Sequence, residues 1–191
     1  MKNSAYHGPS TERNHQGAYT LIIRSGQPRS ITVGRTLSVV LERGLYLYTG
    51  SALGRGSTSL EWRLSRHLSR EKKHFWHIDR ILSSDSACLV SAIVSRTKSR
   101  VECRVNTALL RDSSIRVLVK GIGSSDCKCE SHFLMARCGL DALQRKVRSC
   151  YARLGFRPYV FKDLGTHGLR GFIAQPEGLK SRIIARRIRT R

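Results

Sequence analysis

Gly44–Leu82, GLYLYTGSALGRGSTSLEWRLSRHLSREKKHFWHIDRIL, divides into four pieces. They are a short apolar strand, a glycine- and serine-rich turn, a helix studded with Arg and His, and an aromatic-histidine segment. Leu45–Ser51 is rich in strand formers. Thr58 followed by Glu61 has capping-box spacing, which predicts Thr58 as the helix N-cap. Leu60, Leu64 and Leu68 recur every four residues and predict the buried stripe. Arg63 and His67 are i, i+4 partners on another face, with Arg66 and Arg70 beside them. Phe75–Leu82 reads as a further short helix.

Upstream, Gly17–Arg24 (GAYTLIIR) is a strand, Ser25–Pro28 a turn, and Arg29–Arg35 a second strand. With Leu45–Ser51 these predict an antiparallel meander. Residues 1–16 are polar and aperiodic, as in a disordered leader. Downstream, Ala87–Ser95 is continuously apolar and of strand length, so it reads as a buried strand. Val101–Arg111 reads as a helix and Val117–Val119 as a short strand. Gly121–Ser125 is a loop, followed by the cysteine-bearing stretch Asp126–Met135. Leu140–Leu154 has helical spacing, and Pro158–Phe161 and Gly171–Ala174 suggest short strands. The expected division is a leader (1–16), an α/β (α+β) domain (17–138) and a basic C-terminal extension (139–191).

The formal net charge is +22 over 191 residues. A charge of that size points to a polyanionic partner. Residues 142–191 hold 13 Lys/Arg against two acids, so the excess is concentrated at the C-terminal end. Lys180–Arg191 (KSRIIARRIRTR) suits gripping a nucleic-acid backbone without reading sequence, with Arg186 and Arg187 central to it. The N-terminus has no apolar run and the longest internal one is far short of a membrane span. The expected compartment is therefore reducing and cytoplasmic, close to the nucleoid, with the six cysteines as thiols or metal ligands.

A further set of residues carries a family resemblance. Gly17-Ala18-Tyr19, Gly44–Ala52, Arg63–Leu68, Lys72-Lys73, Trp76–Asp79, Glu102-Cys103 and Gly123–Cys127 occur in this order. Together they resemble the GIY-YIG nuclease superfamily, most of all a small, mostly archaeal branch with members joined to endonuclease III-type DNA repair proteins. The resemblance covers about residues 17–135. It implies a small three-stranded antiparallel sheet flanked by helices and metal-dependent hydrolysis of a phosphodiester. By position, Tyr19 and Tyr48 match the two motif tyrosines, Arg63 the helix arginine, His67 the position after it, and Glu102 the acidic metal ligand. Gly44-Leu45-Tyr46 is a more literal match to the first motif. However, Tyr46 and Tyr48 lie two apart on one strand and share a face, whereas the pattern needs tyrosines on neighbouring strands. Ala18 and the polar Thr49 depart from the usual branched apolar residues.

The chemistry is consistent with that set. Arg63 offers a planar pair of donors to a phosphodiester, and a hard Mg²⁺ or Mn²⁺ needs a carboxylate, for which Glu102 is the only acid between 87 and 111. Tyr19 could take a proton from water only if neighbouring cations lowered its pKa from about 10. Arg66, Arg70, Lys72 and Lys73 extend the basic surface; the ordinary reading of such a stripe is a solvated face. His77 and Asp79 suit either a metal or phosphate contact or a structural hydrogen bond. Asp126 either approaches the site or caps its loop. Cys127-x-Cys129-x-x-His132, with Cys103 or Cys138, supplies four zinc ligands, but the spacing lacks a Cys-x-x-Cys pair and weighs against structural zinc. The resulting expectation is a divalent-metal-dependent DNA endonuclease in repair or processing, with DNA and a repair glycosylase/lyase as partners. The alternatives are an inactive binding module of the same fold and an RNA-associated factor.

Overall fold

The structure, a computed structural model, describes residues 15–162. Two long apolar strands set its centre. β1 (Gly17–Ser25) and β4 (Gly44–Ala52) are nine residues each and almost wholly buried. They pair antiparallel along their full length, from Gly17 opposite Ala52 to Ser25 opposite Gly44. β5 (Ala87–Arg96) pairs on the other side of β1. Three short strands complete the sheet: β6 (Ile115–Val117), β7 (Phe133–Ala136) and β8 (Tyr159–Lys162). The order is β6-β7-β4-β1-β5-β8, every neighbour antiparallel. The sheet thus has six strands, not the three the resemblance implies.

The expected meander is also corrected. β2 (Arg29–Thr32) and β3 (Ser38–Leu41) form their own two-stranded ribbon. A four-residue, mostly exposed strand cannot cover the length of β1, whereas β4 can. β3 was not foreseen from sequence.

Both faces of the sheet are covered, which is why β1 carries apolar residues without alternation. On one face Tyr19, Leu21, Ile23, Tyr46 and Tyr48 meet Leu60, Leu64, Ile78 and Ile81. These come from α1 (Leu60–Leu68) and α2 (His77–Leu82). On the other face Ala18, Ile22, Leu45, Leu47 and Ile93 meet α3 (Glu102–Leu109) and α4 (Leu140–Arg153) through Val105, Leu109, Leu143, Val147 and Tyr151. Residues 140–162, assigned on sequence to an extension, pack into this same body. Residues 1–14 and 163–191 lie outside the described residues, and with them most of the expected leader, the Gly171–Ala174 strand and the basic tail. No helix among the described residues is long and apolar enough to cross a membrane.

Two local features differ from expectation. Ser59, not Thr58, caps α1, accepting from the Trp62 amide at 3.3 Å. The Thr58 hydroxyl instead donates to the Arg55 carbonyl, inside the 3₁₀ turn Gly56–Thr58. The polar Thr49 is accounted for as well: its hydroxyl lies 3.0 Å from that of Thr20, directly across the strands, and Thr20 lies 3.1 Å from the Tyr151 hydroxyl of α4. A buried hydroxyl without such a partner would cost stability.

Candidate active site

The pairing of β1 with β4 places the two tyrosines. Tyr19 lies opposite Gly50 and Tyr48 opposite Leu21, so they sit diagonally on neighbouring strands and on the same face. Tyr46 shares that face but is spent on packing: its ring stacks on Phe133 at 5.4 Å and its hydroxyl donates to the Glu42 carbonyl. α1 crosses this face and delivers Arg63 and His67.

These residues fall into two layers. The inner layer is buried. Tyr19 and His67 are 1% and 2% exposed, and their Oη and Nε2 atoms are 2.8 Å apart. Burial lowers the pKa of His67 to about 3, aided by Lys72, Arg63 and Arg66 and opposed by Asp79, so the imidazole is neutral. Burial likewise pushes Tyr19 up to about 12, although Arg63 acts in the opposite direction. The Arg63 charge by itself therefore does not meet the condition for Tyr19 to act as a base, because desolvation outweighs it. Tyr48 is also raised, again by burial first.

The outer layer lines a cleft of about 390 Å³, where Tyr48, Arg63, His77, Glu102, Asp126 and His132 meet. Trp76 holds Arg63, whose guanidinium carbon lies 4.7 Å from the indole centroid. Glu102 begins α3 on the opposite wall, and its Oε2 is buried without a hydrogen-bond partner among the described residues. A buried carboxylate oxygen in that state carries a desolvation cost that a cation would relieve. Its chemistry therefore fits a hard divalent ion. Asp126 pairs with Arg100 at 3.5 Å across the cleft mouth, an exposed contact.

Gly50 makes the inner layer possible. A Cβ there would stand 2.7 Å from the Tyr19 hydroxyl and 2.8 Å from its ring carbon. Gly50→Ala should therefore push Tyr19 off His67 and cost about 1–3 kcal/mol, measurable by chemical denaturation. A variant as stable as wild type would mean that the Tyr19 ring is not fixed.

Several sequence-predicted residues lie elsewhere. Arg66 turns inward: it donates to Asp79 Oδ2 at 2.8 Å and to the Lys73 carbonyl, and lies near the rings of Trp62, Phe75 and Trp76. It is not available to a phosphate backbone in this arrangement. Asp79 is fully buried and accepts from the Phe75 and Trp76 amides, which makes it the structural member of the His77/Asp79 pair. Lys72 donates to the last carbonyls of α1, those of Arg66 and His67. Arg70 and Lys73 are exposed. Arg186 and Arg187 lie outside the described residues.

Cys103, Cys127, Cys129 and His132 converge into one cluster able to hold a metal ion, against the weight placed on their spacing. Cys138, the other fourth-ligand candidate, packs instead against the α3–α4 core. The choice of Cys103 had no local sequence signal beyond its position next to Glu102. Arg100 and His132 were likewise not foreseen as cleft residues.

The fold and cleft define an antiparallel α/β protein with a polar site built across two strands and two helices. Its family is one whose function is not assigned: the chain belongs to the family described as Domain of unknown function DUF123, which matches residues 18–155. No curated protein and no solved structure matches it.

Proposed function

We propose that the protein is a divalent-metal-dependent endonuclease hydrolysing DNA phosphodiesters, as its resemblance to the GIY-YIG nucleases implies. The observation that carries this reading is the meeting of Tyr48, Arg63 and Glu102 in one cleft, with Glu102 Oε2 buried and without a hydrogen-bond partner among the described residues. They come from β4, α1 and α3, and nothing in chain proximity forces them together.

In this reading Arg63 receives the charge that gathers on the non-bridging phosphoryl oxygens. Its planar fork is held by Trp76 and so needs little reordering as charge develops. Glu102 would hold Mg²⁺ or Mn²⁺, which when bound would act as a Lewis acid and acidify water. Tyr48 orients the ester from the cleft floor through its hydroxyl. Tyr19, hydrogen-bonded to the neutral His67, supports Arg63 from the buried layer. The net charge of +22 supplies steering and non-specific affinity for the nucleic acid.

The test is a cleavage panel of branched, nicked, damaged and single-stranded DNAs with Mg²⁺ and Mn²⁺, run beside Glu102→Ala. Cutting should require the ion and vanish in the variant. Cutting by Glu102→Ala at the wild-type rate would remove the metal assignment. Salt-sensitive binding with no cutting of any substrate would favour a binding module.

A further inference from the structure

Behind the part of the cleft lined by His132 sits a thiol cluster, with Cys103 and Cys129 on a separate depression, that has no part in that chemistry. Its four ligand atoms, from Cys103, Cys127, Cys129 and His132, lie within 4.8 Å of one another. His132 Nε2 is 3.5 Å from Cys127 Sγ and 3.7 Å from Cys103 Sγ. Around a tetrahedral zinc, a sulfur and a nitrogen ligand stand roughly 3.6 Å apart, as the usual Zn–S and Zn–N lengths require. His132 is buried and the three cysteines are partly shielded. Three thiols and an imidazole form a soft donor set, suited to zinc rather than to Mg²⁺ or Ca²⁺.

The ligands come from three places in the fold. Cys103 is in the first turn of α3, Cys127 and Cys129 are at the tip of the 121–132 loop, and His132 immediately precedes β7. The same loop is already anchored at its base. The Gly121 amide donates to the Glu130 carbonyl, the His132 amide to that of Ile122, and the Asn106 side chain to that of Ser131. The His132 carbonyl in turn accepts from the Thr49 amide of β4. An ion at the cluster would fasten the tip as these bonds fasten the base.

We propose that Cys103, Cys127, Cys129 and His132 bind one zinc ion, and that this ion clamps the 121–132 loop onto the first turn of α3. Binding forms three Zn–S bonds and one Zn–N bond and releases three thiol protons to solvent, with no change of oxidation state. The closed four-ligand set leaves no position for substrate, so the site is structural. Glu102 adjoins one ligand, and Asp126 adjoins another, so the ion also positions the acidic wall of the cleft. That consequence rests on the nuclease reading; the zinc site does not.

The full chain, purified with reductant and without added zinc, should contain one zinc per chain by elemental mass spectrometry. Cys129→Ser should lose it, while Cys88→Ser and Cys138→Ser should keep it. Co²⁺-substituted protein should show the intense ligand-field absorption of a tetrahedral thiolate site. Amide hydrogen exchange in residues 121–132 and 102–105 should speed up in Cys129→Ser. If that variant does not fold, chelator-treated wild type serves the same comparison. Folded wild type without stoichiometric zinc, iron in its place, or a disulfide among the three cysteines under reductant would overturn the site. Unchanged exchange on zinc loss would overturn the clamp. Zinc with no DNA cleavage would leave this inference standing and sink only the nuclease reading.

Discussion

Arg63→Ala should slow phosphodiester cleavage by about 10²- to 10³-fold, the usual loss when one preorganised donor to a developing negative charge is removed. Binding should persist, because in the nuclease reading a chain of net charge +22 would contact many phosphates and would lose only one contact. Arg63→Lys should rescue poorly: an ammonium is a point charge and cannot present the paired donors of a guanidinium stacked on Trp76. The check is single-turnover cleavage at saturating DNA, with the salt dependence of binding measured in parallel. If Arg63→Ala cuts as fast as wild type while folded, Arg63 is not the phosphate-facing group and the proposed mechanism fails at its centre.

The second large effect concerns stability. Asp79 is fully buried, takes one hydrogen bond from Arg66 and two from backbone amides, and ties α1 to α2. Burial alone would raise its pKa, but those three donors together with the Arg66 charge hold it below the ordinary carboxylate value. Asp79→Ala should cost about 3 kcal/mol, the low end for a broken buried pair because Arg66 keeps the Lys73 carbonyl. In a chain of this size that corresponds to roughly 6–12 °C in Tm. The pH dependence follows from the sign of the shift. With the folded pKa depressed, the Asp79 contribution is fully present above the unfolded pKa and is lost as pH falls through the folded one. Wild type should therefore lose part of its advantage over Asp79→Asn on acidification below about pH 4. A pH-independent difference between the two would show that the charge on Asp79 contributes nothing. Denaturant titrations at several pH values make the comparison.

Local sequence carried much of the fold. The apolar runs at 17–24, 45–51 and 87–95 are three adjacent strands of the sheet, and the four-residue spacing at Leu60 and Leu64 is the buried face of α1. The helical spacing after Gly139 is α4. These signals are legible because burial on one face or both imposes a period on the chain itself. The structure departs from local expectation where a neighbour distant in sequence decides. β2 is next to β1 in the chain, but the strands long and apolar enough to pair along its full length are β4 and β5. Arg66 looked like a surface cation because its own helix does not reveal Asp79, 13 residues on. For Tyr19 the sequence shows the nearby Arg63 charge but not the burial that outweighs it.

By itself, then, the sequence of 191 residues determined a basic α/β protein, the positions of its main strands and helices, and the residue types able to handle a phosphodiester. Tertiary structure alone decided that Tyr19 lies buried against His67 while Tyr48 and Arg63 face the cleft, and that Glu102 closes it from another helix. It also decided that Cys103, and not Cys138, joins the Cys127–His132 cluster. The physical reason is common to these cases. Secondary structure follows from periodicity within a few residues, whereas exposure, pKa and ligand geometry are set by groups brought together across the sheet. For those groups, strand register and helix docking fix distances that chain spacing does not contain.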